Sequence, residues 1–486
     1  MRYNTRKNRI ISLLLGTCLL HCLTGCNTST ATYENFVPDV SAESSIEPVG
    51  STLNNESYEG EEATKEDAIE TYSSADGLCT IEKKPSYYEV YLDYTGGDYG
   101  AVGRAYAETI LKTDFKFGEI MEPYLYENIN MAFPSINGDY SPVQDRIDDL
   151  IVNIPEDYKE ELFGFAETLS QGETGFTEDG KVSYEEALLV SMVPDTLRGT
   201  SCNALSVWGE KTETGEKITS RTLEWTLGSE NQMCLAHAVT HFKMPEDRNS
   251  YMTFSVLGML DVLTIINDDG VMAGILDVGT GFDYYSEGKK CYTYELRYAV
   301  EHMSEARSVG EYMVGESKNF TYSHNIIITD KSDAFVAEDW VDDPEKVLEK
   351  YASTGEVDED DMGFSILRDA DTPLMDGITW DNPDSLCVVN TFMTKDNIDN
   401  FTCVGNNFVR FTKFNTWVGE KEKLSLADVK GIVTRESTER IGRFQKLYSE
   451  NVYQTIIYDY STGNIDVVFT GTEGVEDHPA FVRVEE

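Results

Sequence analysis

The chain has 486 residues, 40% hydrophobic and 26% charged, enough to bury one large core or two smaller ones. Its 28 Tyr and 21 Phe exclude a wholly disordered chain. A formal net charge of −48 repels nucleic acid and anionic headgroups, so no nucleic-acid partner is expected and the acidic surface reads as a solvated one.

At the start of the chain Arg2, Arg6, Lys7 and Arg9 precede an apolar run, Ile10 to Leu20. The run is too short for a membrane span and has the form of a signal-peptide core. Leu23-Thr24-Gly25-Cys26 follows and resembles a bacterial lipobox. That resemblance implies a signal peptide over 1–25, lipid on Cys26, and an extracytoplasmic protein tied to the cell membrane by this anchor alone. Residues 26–82 are polar and acidic, as in Ser41-Ala42-Glu43-Ser44-Ser45 and Glu59-Gly60-Glu61-Glu62, and predict a disordered tether. No later segment is apolar enough to cross a membrane.

From Tyr87 to Thr200 the pattern is mostly helical. Gly100 to Leu111 and Pro155 to Leu169 place apolar residues three and four apart, and Ser183 is a candidate N-cap for a helix running to about Val193. Beyond Thr200, β-formers punctuated by turns predict strands over Ala204 to Trp208, Ile218 to Trp225, Met233 to Phe242 and Tyr251 to Ile266. Helices are expected near Tyr292 to Met303 and Ser308 to Met313. A hairpin should turn at Asp330-Lys331-Ser332-Asp333, and a buried strand should cover Leu386 to Phe392. A last hairpin, Val452 to Tyr460 with Asn464 to Phe469, should turn at Ser461-Thr462-Gly463. This mixture argues for a layered α/β or α+β domain.

Beyond the signal and Cys26, the cysteines are Cys79, Cys202, Cys234, Cys291, Cys387 and Cys403. None forms a CxxC pair, so zinc and redox motifs are unsupported, while disulfides are permitted but not specified. His237 and His241 share a strand face without a ligating partner at suitable spacing, and Asp268-Asp269-Gly270 reads as a turn. No metal or cofactor is therefore expected. There is no Gly-x-Ser-x-Gly motif for a serine hydrolase.

The most specific signal is Thr200-Ser201-Cys202-Asn203-Ala204, a turn, then Ser220-Arg221-Thr222-Leu223-Glu224-Trp225. If the turn centres near Glu213, Cys202 lies opposite Glu224 with Arg221 close by. A thiol attacks as its thiolate, which a nearby guanidinium favours. Strand alternation points 221 and 224 to opposite faces, so a bulge or strand end is needed for both to reach the cysteine.

Cys, hairpin and Arg-x-Leu-acid-Trp resemble the start of the mature chain in N-terminal-nucleophile cysteine hydrolases. These include the acyl-CoA:6-aminopenicillanic acid acyltransferase family and the related choloylglycine hydrolases. Further markers are Glu160 to Ala166, Ile266 to Val271, Asn325 to Glu338, Val389-Asn390-Thr391-Phe392 and Phe408-Val409-Arg410-Phe411, so the likeness spans about Tyr87 to Phe481. The family usually has Arg-Asn-Leu-Asp-Trp where this chain has Arg221-Thr222-Leu223-Glu224-Trp225.

The resemblance implies an α+β fold, a four-layer αββα sandwich over 202–486, with a helical propeptide over 83–201. Cleavage before Cys202 would free an α-amine as general base, with Arg221 and Arg410 stabilising charge around the thiolate, Glu224 holding Arg221 or the amine in place, Asn390 donating to the oxyanion and Asn267 positioning substrate. The implied activity is hydrolysis of a linear N-acyl amide, a small molecule, through an acyl-enzyme, with acyl transfer as the near alternative. An inactive extracytoplasmic binding lipoprotein of the same fold is the second reading. The sequence leaves the oligomeric state open.

Overall fold

The computed structural model describes residues 62–197, 201–278, 284–343, 345, 348–349, 362–397, 404–435, 448–476 and 479–484. The expected signal peptide, Cys26 and Cys403 lie outside them.

The described chain opens in strands. β1 (Glu70–Ser73), β2 (Cys79–Lys83) and β3 (Tyr88–Asp93) form an antiparallel meander. Thr64 is already bonded to the chain's far end, donating to the Phe481 carbonyl and accepting from Arg483 N–H. This corrects the tether's expected end at 82. Acidic composition, averaged over a long stretch, hid a short alternation in which Cys79 and Ile81 point into the core.

Helices α1 (Tyr99–Ile110), α2 (Phe117–Ala132), α3 (Ser141–Ile151), α4 (Glu156–Ser170), α5 (Tyr184–Val190) and α6 (Val193–Thr196) follow. α1 and α4 cross closely because a Cβ on Gly103 would lie 2.0 Å from the Glu161 carbonyl oxygen. Ser183 caps α5 as expected, in a reciprocal box with Glu186. The helix stops at Val190, ahead of the separate turn of α6 that holds Pro194.

Then come β4 (Ser201–Val207), β5 (Ile218–Glu224), β6 (His237–Lys243), β7 (Tyr251–Val256), β8 (Thr264–Asn267) and β9 (Met272–Asp277). The single strand expected over Tyr251 to Ile266 is two strands, broken where Gly258 takes φ +87°. α7 (Tyr292–His302) and α8 (Ala306–Glu316) lead to the expected hairpin of β10 (His324–Thr329) and β11 (Ala334–Asp339). Its turn is closed by Asp330 Oδ1, which accepts from the Ser332 and Asp333 N–H groups. β12 (Ile366–Arg368), β13 (Ser385–Val389), α9 (Val404–Gly419), α10 (Leu426–Val433), β14 (Val452–Asp459), β15 (Asn464–Phe469) and β16 (Val482–Val484) complete the order.

The fold is α+β, with two sheets and helices. The ten-stranded sheet runs β1-β2-β3-β6-β7-β8-β9-β10-β11-β12, and the six-stranded sheet β13-β4-β5-β14-β15-β16. Facing residues Val239, Met252, Phe254 and Met272 share a core with Ile456, Tyr458, Ile465 and Val467. Leu205, Val207 and Val389 turn the other way, onto Phe411, Phe414 and Val418 of α9 and Val429 of α10. The opposite face of the larger sheet, with Val90, Tyr251 and Ile265, shares its core with α1 to α8.

β3 pairs with β6 in parallel, so residues before Cys202 build three strands of a sheet completed by residues after it. A buried ion pair, Arg297 on α7 with Glu161 on α4 at 2.5 Å, joins the same two parts, and both side chains are fully enclosed.

Candidate active site

Cys202 is the second residue of β4, and β4 pairs with β5 in the register Cys202 to Leu223 and Ser201 to Glu224. That is one residue from the expected register. Alternation then sends Cys202 and Arg221 to the face between the sheets. There Arg221 Nη2 donates to Cys202 Sγ at 3.2 Å and to the Ile275 carbonyl at 2.7 Å. Arg221 fits because β9 has glycine beneath it: a Cβ on Gly274 would lie 2.8 Å from Arg221 Cγ.

Glu224 points to the other face, as alternation requires, and needs no bulge in its own strand. The irregularity lies in β14, where the register slips between Val452 and Gln454 opposite Glu224 and Leu223. Glu224 acts from behind the strand. Its Oε2 accepts from Arg410 Nη2 at 2.5 Å and its Oε1 from Ser449 Oγ at 2.7 Å. The same Arg410 Nη2 donates to the Cys202 carbonyl at 2.7 Å.

Asn390 follows the last residue of β13. Its Oδ1 accepts from Cys202 N–H at 2.7 Å and from Arg410 Nη1 at 3.2 Å. Its Nδ2 donates to the Asp277 carbonyl at 2.7 Å, across to the other sheet. Asn390 therefore holds the backbone nitrogen of Cys202, and its donor serves a carbonyl.

Cys202, Arg221, Glu224, Asn390 and Arg410 thus meet, and Asn267 does not join them. Asn267 Nδ2 donates to the carbonyls of Val300 and Met303, and its Oδ1 accepts from Val271 N–H. These bonds tie the β8–β9 turn to the end of α7. His237 and His241 also have other partners: His237 bonds the Thr470 carbonyl and stacks on Tyr453, and His241 meets Glu89 and stacks on Tyr91. Cys79, Cys234, Cys291 and Cys387 are free and buried.

Sequence reasoning missed Asn407, Ser449 and Asp277. Asn407 Nδ2 donates to the Asn390 carbonyl and to Thr391 Oγ1, and its Oδ1 accepts from Arg410. It lies three residues before Arg410 on α9, so helical spacing was a usable signal. Ser449 and Asp277 carry none.

Electrostatically the site is closed, and on balance the Cys202 thiol is held above its ordinary value. Burial pushes the Cys202 thiol up, while Arg221 and a backbone hydrogen bond from Glu224 pull it down. Arg221 is fully enclosed, and among the described residues its Nε and Nη1 find no hydrogen-bond partner. A buried guanidinium with spare donors is costly unless an anion forms beside it.

The site is a buried cysteine held by two arginines, an amide and a carboxylate at the start of a strand. No protein-family profile and no curated protein matches the chain. Among solved structures it is similar to an N-acylethanolamine-hydrolyzing acid amidase ortholog of Caenorhabditis elegans, at 10% identity over 53% of this chain and 93% of that one, TM-score 0.33. It is similar to a variant of conjugated bile acid hydrolase from Clostridium perfringens, at 11% identity over 55% and 89%, TM-score 0.30. Penicillin V acylase from Agrobacterium tumefaciens follows at 10% identity over 55% and 83%, TM-score 0.29. At these values the functional argument rests on the site's own geometry.

Proposed function

We propose that this chain is an N-terminal-nucleophile cysteine amidase, an αββα enzyme that cuts itself before Cys202 and then hydrolyses a linear N-acyl amide of a small molecule. The observation that carries the reading is the pair of contacts on one residue: Arg221 on the Cys202 sulfur and Asn390 on the Cys202 nitrogen. A nucleophile that must also supply its own base needs both atoms fixed.

In the uncut chain that nitrogen is an amide and has no basicity. Cleavage makes it an α-amine with a pKa near ~8, suited to take the thiol proton at working pH. Attack on the substrate carbonyl forms the acyl-enzyme, and water releases the acid; an amine in place of water gives acyl transfer. Arg221 Nη2 is placed to favour the thiolate, and Asn390 Nδ2 would serve the oxyanion once it leaves the Asp277 carbonyl. A lipid on Cys26 would hold the enzyme outside the cytoplasm. Cys26→Ala is expected to move the protein from the membrane fraction to the soluble one, and unchanged fractionation would exclude the anchor.

Purified wild-type protein is expected to run as two pieces on a denaturing gel, with intact masses that place the break between Ser201 and Cys202. Under native conditions the pieces should stay together, because β3 is paired to β6 and Glu161 is enclosed with Arg297. One uncut mass excludes the self-processing enzyme and leaves the binding lipoprotein.

A further inference from the structure

Upstream of Cys202 the chain is gripped in a way the amidase reading leaves unexplained. Two consecutive carbonyls are held by side chains: Tyr284 Oη donates to the Asp195 carbonyl at 3.1 Å, and Arg146 Nη1 donates to the Thr196 carbonyl. Tyr322 Oη reaches the Thr196 carbonyl as well, at 3.4 Å. The Arg146 guanidinium is itself fixed, 3.7 Å from the Tyr284 ring centre and 4.3 Å from that of Phe133.

The Asp195 side chain is fully buried and caps a distant helix. Its Oδ1 accepts from Tyr292 N–H at 2.8 Å and its Oδ2 from Thr293 Oγ1 at 2.5 Å, at the start of α7. The residue before that helix, Cys291, provides no side-chain cap. Tyr292 also reaches the nucleophile's side. Its Oη donates to Asp277 Oδ1 at 3.1 Å, and the Asp277 carbonyl holds Asn390, which holds Cys202 N–H. Tyr292 therefore takes part both in the hold on Asp195 and in the relay of contacts that ends on Cys202, on either side of the bond to be cut.

We propose that Asp195, with Tyr284 and Arg146, is a positioning clamp for self-cleavage. This rests on the reading that the chain cuts itself. The clamp fixes the chain at Asp195 and Thr196, shortly before Ser201, and so narrows the search by which the Ser201 carbonyl carbon comes within reach of Cys202 Sγ. In the cut, Sγ bonds to that carbon and the Ser201–Cys202 C–N bond breaks. The thiol proton passes to the departing nitrogen, which becomes the α-amine. Water then hydrolyses the thioester, giving the Ser201 carboxylate and the free Cys202 thiol.

The test follows a pulse of full-length protein made by cell-free translation and chased on a denaturing gel, for wild type, Asp195→Ala, Asp195→Asn and Tyr284→Phe. Two controls accompany it: melting of each substitution in a Cys202→Ala background, and the rate at which iodoacetamide alkylates Cys202 in the cut fraction. The expected result is cutting slowed at least tenfold by Asp195→Ala, or ~1.4 kcal/mol in barrier. Asp195→Asn should recover part of the rate through its remaining acceptor and Tyr284→Phe should be slowed several-fold; alkylation should match wild type in every variant and melting should match for Tyr284→Phe, while Asp195→Ala, which loses the α7 cap, melts lower. Cutting at the wild-type rate in Asp195→Ala and Tyr284→Phe overturns the clamp while leaving the amidase reading intact. Slower alkylation in any variant, or slowing of Tyr284→Phe matched by a lower melting temperature, makes the contacts merely structural and also overturns it. A wild-type chain that never cuts defeats the amidase reading, and the clamp with it.

Discussion

Cys202→Ala is expected to leave the chain in one piece and to abolish amide hydrolysis, a loss of orders of magnitude on both counts. The substitution removes only a sulfur that is already enclosed, so packing changes little and folding should survive. The chemistry has no substitute. Among the described residues Arg221 is the side chain hydrogen-bonded to that sulfur, and a guanidinium is neither nucleophile nor base. The measurement is the intact mass of purified variant beside wild type, with hydrolysis of a panel of N-acyl amides. If the alanine variant still splits between Ser201 and Cys202, cleavage comes from an outside protease and the self-processing reading fails.

The second large effect is expected from Arg410→Met, in a Cys202→Ala background so that only folding is read. Arg410 and Glu224 are both buried, and Arg410 joins the Cys202 carbonyl, Asn390 and Asn407 in one network. Methionine fills much of the space and removes the charge, leaving Glu224 with Ser449 as its remaining side-chain partner among the described residues. Breaking a buried pair from one side costs about 3–5 kcal/mol, because the surviving carboxylate is left uncompensated. The loss is read from the urea midpoint at constant slope. Adding Glu224→Gln should restore a good part of it, since a neutral amide has less to lose on burial. An unshifted midpoint for Arg410→Met would mean that the pair is not what braces the start of β4.

Local reading went furthest where chemistry and geometry lie within one element. The Ser183 cap, the Asp330 turn and the last hairpin are set by residues within a few positions of each other. Although the expected pairing of Cys202 with Glu224 put Arg221 on the other face, the nearness of Cys202 and Arg221 was legible for the same reason: a hairpin brings positions 19 apart together. The exact register was not, because the connection between β4 and β5 is longer than a tight turn and contains the short 3-10 helix Gly209–Lys211. Asn267 misled because an Asn-acid-acid-Gly turn looks alike whether it meets a ligand or the end of a helix.

By itself, then, the sequence determined a layered mixture of helices and strands, a helical stretch before Thr200 and a cysteine, an arginine and a glutamate gathered by one hairpin, since hydrogen-bond register and side-chain period act over a few residues. Tertiary structure decided the rest. Asn390 and Arg410 reach Cys202 from 188 and 208 positions away, and no local periodicity encodes contacts at that range. It also decided that residues before Cys202 are part of the ten-stranded sheet, because a parallel pairing such as β3 with β6 is satisfied only when two distant strands share a common buried face.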